Sequence, residues 1–312
     1  MIERALVCAA LLAASFHAQA QDKVPAAIAF AAVPELMAPG IVSTALHDFA
    51  PSLTPDGKTL LYTVTDSGFT RMTLMQSSLV QGAWQAATVL PFSGHWNDGD
   101  GVLSPDGKTY VFISNRPEQG DVPKTDLDLW VVSRKDEGGW GEPQRLPAHI
   151  NSSVNEVYPS IAADGTLYFG RAGADSPIFR SVLKDGQYQA PERLPFGGFS
   201  FAVAPDQSYA IVGKVDANRN ADLHLVRRVN GNWGAPVRLD GAVNTPAAEF
   251  ASAIHGPSNT LLFVSARRPA AESWPRARPV RTAADVAAEL NGNALNGLRN
   301  IYRVDLKALT SN

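Results

Sequence analysis

The chain of 312 residues contains one cysteine, Cys8, and that scarcity excludes much. An internal disulfide framework is closed to it, and because Cys8 lies in the leader expected over 1–20, a thiol nucleophile and a cysteine-ligated metal are closed to the mature chain too, so its stability must come from packing. Charge of one sign is also lacking. Against 30 Asp and Glu stand 27 Lys and Arg, a formal net charge of −3, which offers no basic face for nucleic acid and no pull toward an anionic membrane. Long apolar runs are missing beyond the first twenty residues. Those carry Arg4, an apolar run from Ala5 to Phe16, and Ala18-Gln19-Ala20 ahead of Gln21. The run is too short to span a bilayer, and the pattern predicts a secretory signal over 1–20, with the mature chain 21–312 in the periplasm or secreted. Chemical motifs are scarce as well. The sequence has no Gly-rich phosphate loop, no His-Glu-x-x-His helix and no Gly-x-Ser-x-Gly elbow, so no cofactor or metal is expected.

What the chain has in abundance is repetition. "GNWGAPVRL" at 231 is echoed by "GGWGEPQRL" at 138, "GQYQAPERL" at 186 and "GAWQAATVL" at 82. A second unit, "PSLTPDGKTLLYT" at 51, recurs as "GVLSPDGKTYVFI" at 101, "PSIAADGTLYFG" at 159, "FAVAPDQSYAIVG" at 201 and "SAIHGPSNTLLFV" at 252. Each places a turn between two runs rich in β-branched and aromatic residues, with Pro presetting φ and Gly accepting positive φ. A third strand candidate follows each one. The units of roughly 42 to 58 residues read as four antiparallel strands, the size of one propeller blade. The expected fold is therefore all-β: a five-bladed β-propeller of four-stranded antiparallel blades at about 48–90, 97–147, 155–195, 198–240 and 248–307. The fifth blade lacks a fourth strand, and "PELMAPGIVST" at 34 matches "PQRLPAHINSS" at 143, so the segment 34–46 is expected to close the ring. Trp84, Trp140, Tyr188 and Trp233 then read as blade-packing aromatics.

The fifth blade carries an insertion, 268–298, in which Thr282 and Asp285 predict a capped helix ending near Asn291-Gly292. Arg267, Arg268, Arg276, Arg278 and Arg281 crowd its start, a solvated loop or an anionic partner's contact.

The units "LTPDGKTLLYT" and "LSPDGKTYVFISNRP" resemble the PD40 repeat, the WD40-like unit of the TolB propeller. The resemblance covers residues 48–306 and implies a propeller. It says little about activity, and TolB's separate N-terminal α/β domain has no counterpart in the few mature residues before Pro34.

Aligned on their hairpins, the blades place Asp48, Asp98, Glu156 and Glu249 at one equivalent position, with Gly198 in the fourth. His47, Asn97 and Asn155 directly precede three of the acids, and Asp100, His95 and Trp96 stand close by. The acids sit where innermost strands begin, at the axial end where propellers commonly bind ligands. Three readings arise. The acids pair with arginines that follow the second strand, Arg116 and Arg267, or hold backbone N–H groups. They form a mouth for a cation, sugar or basic peptide, although no Asp-rich calcium loop occurs. Or two of them cleave a glycosidic bond, as five-bladed propellers can. The expectation adopted is a non-catalytic exported binding module, monomeric, with a protein or carbohydrate partner at the axial face. A glycoside hydrolase and an envelope scaffold are the alternatives.

Overall fold

The computed structural model describes residues 28–216, 220–268, 282–292 and 294–307. The expected leader with Cys8, and Arg276, Arg278 and Arg281, lie outside them.

The chain folds into five small antiparallel sheets set around one axis as a five-bladed propeller. In the first blade the strands, from the axis outward, are His47–Leu53, Thr59–Thr65, Thr73–Val80 and the short Thr88–Val89. Asp98–Leu103, Thr109–Ser114, Asp128–Ser133 and Gln144–Arg145 build the second, and Glu156–Ile161, Leu167–Arg171, Pro177–Ser181 and Glu192–Gly197 the third. The innermost strands touch one another in the cyclic order one, two, three, four, five and back to one.

The recurrent turn has a local cause. Asp56 accepts hydrogen bonds from Thr54 Oγ1 at 2.6 Å and Lys58 N at 3.0 Å, and Asp106 repeats both with Ser104 and Lys108. This side-chain bracket lets the next residue turn left-handed, which Gly57 and Gly107 do at φ 68° and 76° without a Cβ penalty. The turns also pack around the ring: a Cβ on Gly107 would meet Pro55 at 2.9 Å, and one on Gly256 would meet Pro205 at the same distance.

The ring closes as the repeat requires. Glu35 and Leu36 pair antiparallel with Arg303 and Tyr302 of the fifth blade's third strand, Asn300–Asp305. Met37 N then donates to Ile301 O, as Leu90 and Leu146 do to Leu74 and Leu129. The pairing is confined to Glu35–Leu36, shorter than the 34–46 segment expected. The fourth blade carries a strand that repetition could not announce: Ile28–Phe30 runs parallel to Val237–Gly241 on its outer edge. Phe30 is buried there with Leu239, Val243 and Tyr302, so one segment clamps blades four and five before the ring closes.

Between neighbouring blades the core is aromatic and aliphatic. Trp140 packs on Tyr110 and Phe92, and Trp233 on Tyr168 and Phe201; Tyr110 and Tyr168 are fully buried. In the insertion, the helix Ala283–Gly292 starts at a reciprocal cap in which Thr282 N donates to Asp285 Oδ2 and Asp285 N to Thr282 Oγ1. Among the described residues no helix is long and apolar enough to cross a membrane.

Candidate functional site

Asp48, Asp98, Glu156 and Glu249 all lie at the start of innermost strands, and each is 0 % exposed. Burying a carboxylate demands partners, and the loop that precedes each blade supplies them. Thr44 donates its N–H and hydroxyl to Asp48 at 2.6 and 2.9 Å. Ser152 does the same for Glu156 at 3.0 and 2.6 Å, and Thr245 for Glu249 at 2.9 and 2.6 Å. Asp98 receives Ser93 Oγ at 2.9 Å.

Three of the acids also hold an arginine. Arg116 reaches Asp98 at 2.7 Å, Arg171 reaches Glu156 at 3.1 Å and Arg267 reaches Glu249 at 3.3 Å. Each guanidinium also donates to carbonyl groups of the preceding loop, Phe92, Ile150 or Ala242 and Val243. Each lies over aromatic rings too, 4.9 Å from Phe112, 4.5 Å from Phe179 and 4.7 Å from Tyr302. Among the described residues blade one has no such cation. Asp48 keeps one carboxylate oxygen buried with no partner, and burial pushes its carboxyl up to about 6, opposed by the Thr44 hydrogen bonds. Burial raises Glu156 and Glu249 as well. Blade four has no acid because none fits: a Cβ on Gly198 would stand 2.3 Å from Val212 Cγ2.

His47, Asn97 and Asn155 perform one task between them. Asn97 Oδ1 accepts Met72 N at 2.6 Å, Asn155 Oδ1 accepts Leu127 N at 2.9 Å, and His47 Nδ1 accepts Arg299 N at 3.2 Å. Each thus holds the third strand of the preceding blade. The four acids, His47, Asn97, Asn155, Arg116 and Arg267 thus all make contacts within or between blades. The four carboxylates face these partners and not an open acidic mouth.

A different set of side chains surrounds the axis at the same end. Two residues beyond each acid the innermost strands bulge, and Ala50, Asp100, Tyr158 and Ala251 take positive φ of 45° to 49°. These positions line a central cavity of about 60 Å3, room for a few waters, that ends below at Pro55, Pro105, Pro205 and Pro257. Asp100 accepts Tyr158 N at 3.2 Å, and burial pushes its carboxyl up to about 7. Ring contacts run on from Tyr158 to Phe199 at 5.9 Å and from Phe199 to Phe250 at 5.3 Å. The Arg299 guanidinium lies 5.1 Å from the Phe250 centroid and 4.4 Å from that of Phe69. Phe69 in turn meets His47 at 5.6 Å. Burial, with Arg299 beside it, draws the His47 imidazole down, in keeping with Nδ1 accepting the Arg299 N–H. Arg299, Tyr158, Phe69, Phe199 and Phe250 were not picked out in the sequence, because no repeat marks them.

Other hollows are less open to chemistry. A groove of about 820 Å3 lies between blades two and three at the turn end. Its Arg145 is bound to Asp128 at 2.7 Å and Glu118 at 3.0 Å, and its His149 to Tyr188 O. A cleft of about 510 Å3 beside Trp96 contains Arg71, His95 and Asp121. Among the described residues no three His, Asp or Glu side chains are grouped to hold a metal.

No family model matches the chain, and no curated protein matches its sequence. Solved structures do share its shape. The catalytic domain of the GH62 α-L-arabinofuranosidase of Coprinopsis cinerea superposes with a TM-score of 0.51 at 10% identity, over 90% of this chain and 98% of that one. TolB of Acinetobacter baumannii gives 0.45 at 14%, over 83% of this chain and 55% of its own, so the chain spans little more than half of that protein. A putative TolB of Agrobacterium tumefaciens gives 0.46 at 17%, over 70% of each. At these identities the likeness concerns the fold alone.

Proposed function

We propose that the protein is an exported, non-catalytic binding module of the PD40 type, with a protein or carbohydrate ligand received at the axial mouth between Asp100, Tyr158, Phe199, Phe250 and Arg299. The observation that carries this reading is the commitment of the repeated carboxylates. A glycosidase needs one carboxyl to protonate the leaving group and another, roughly 5 to 10 Å away, to attack or activate water, both open to substrate. Asp48, Asp98, Glu156 and Glu249 are 0 % exposed, and each has its own hydrogen-bond partners inside the fold. The likeness to an arabinofuranosidase domain offers the opposite reading only as shared fold.

The test is turnover of 4-nitrophenyl glycosides, the α-L-arabinofuranoside included, by the mature protein. No release above the blank is expected. Release that Glu156→Gln or Asp98→Asn abolishes, in a variant that still folds, would overturn the binding reading in favour of hydrolysis.

A further inference from the structure

We propose that the axial mouth is a carboxylate-binding site, with Arg299 as its charged anchor and the arc of Phe69, Phe250, Phe199 and Tyr158 as the wall for the group that bears the carboxylate. The inference rests on the binding reading above and names the ligand class for it. Arg116, Arg171 and Arg267 each face a buried acid. Arg299 is half-buried at the same end of the ring, yet its guanidinium has no hydrogen-bond acceptor or acid among the described residues, and it lies over the rings of Phe69 and Phe250. Such a partly desolvated cation with uncommitted N–H donors is matched by a planar anion that accepts two parallel hydrogen bonds. The Tyr158 hydroxyl also lacks a partner among the described residues, and Arg299 stands close enough to act on it electrostatically. One donor fork and one hydroxyl therefore stand near each other beside a run of aromatic rings, a few polar groups in an otherwise apolar setting.

The position of Arg299 is fixed by backbone rather than by its charge. Its N–H is held by His47 Nδ1 and its carbonyl accepts Asp48 N, so replacing the side chain leaves the seam between blades five and one in place.

The probes are N-acetyl-L-phenylalanine with its neutral amide, and D-galacturonate with neutral D-galactose, titrated into the mature protein by calorimetry and thermal shift. At least one acid is expected to bind while its neutral counterpart binds about 10- to 100-fold more weakly, the worth of a charge-assisted pair. Arg299→Gln should erase that preference and Arg299→Lys restore part of it. Which acid binds separates an amino-acid type carboxylate from that of an acidic sugar. Equal binding of acid and neutral forms, or an acid preference that survives Arg299→Gln, overturns the carboxylate assignment while leaving the binding reading standing. If no acid binds the wild type, the assignment also falls, without recourse to any variant.

Discussion

Two sets of residues share one end of the propeller and have opposite fates. Asp48, Asp98, Glu156 and Glu249 recur in four of the five blades and are buried against the preceding loop and, in three blades, an arginine. Two positions further along, the same strands carry Ala50, Asp100, Tyr158, Ser200 and Ala251, a different residue in almost every blade. Whatever is repeated meets the same surroundings five times and so serves what all blades need, which is cohesion with a neighbour. A ligand on the axis lacks fivefold symmetry, so a site for it arises where blades differ.

The comparison breaks most visibly if the repeated acids prove dispensable. Asp98→Asn leaves Arg116, 7 % exposed, as a buried cation without its countercharge. A loss of about 3 to 5 kcal/mol is expected, measured by urea unfolding at pH 7. A loss below about 1 kcal/mol would mean that the ion pair is not what holds blade two to its loop.

The same substitution in blade one should act in the opposite direction. Asp48 has no arginine partner among the described residues, and a folded-state carboxyl at about 6 against an ordinary 3.8 binds its proton more tightly than the unfolded chain does. Ionised Asp48 therefore destabilises the fold, by up to about 3 kcal/mol above pH 6, and the penalty disappears as pH falls from 6 toward 4. Asp48→Asn should stabilise the protein by about 1 to 2 kcal/mol at pH 8, since part of the gain is offset by a buried amide without an acceptor, and should give no gain at pH 4. Urea midpoints at the two pH values decide it. Equal effects at both would show that Asp48 is not the ionised group supposed.

These contrasts mark how far the sequence could be read. The blades, their turns and the closing segment were legible because each rests on local chemistry that recurs around the ring, such as Pro-Asp-Gly with its Asp bracket in blades one and two. The acid positions were legible for the same reason, and so were Arg116 and Arg267, which follow a serine that itself binds their Nε. Arg171 escaped because it occupies the place of Ser114 in its strand, two residues early. The Thr or Ser four residues before Asp48, Glu156 and Glu249 is the sequence signal for these loop contacts, a hydroxyl donor spaced to fold back on the acid. The strand Ile28–Phe30 and the mouth could not be read this way at all. The first has no counterpart in other blades, and the second draws Phe69 from a loop, Arg299 from the end of an insertion and Tyr158 from a bulge.

The smallest effect on stability should fall on the residue with the largest effect on binding. Arg299→Gln removes a cation that lies over the rings of Phe69 and Phe250, contacts worth about 0.5 to 1 kcal/mol each at sites that keep some solvent. It also releases the desolvation that draws the guanidinium's own proton affinity down. The two contributions oppose one another, and a change within about 1 kcal/mol is expected by urea unfolding. A loss as large as that of Asp98→Asn would place Arg299 with the repeated arginines as a part of the frame. A near-silent change would leave it as a half-buried charge that the fold does not need, which is the condition under which a ligand is the reason for its presence.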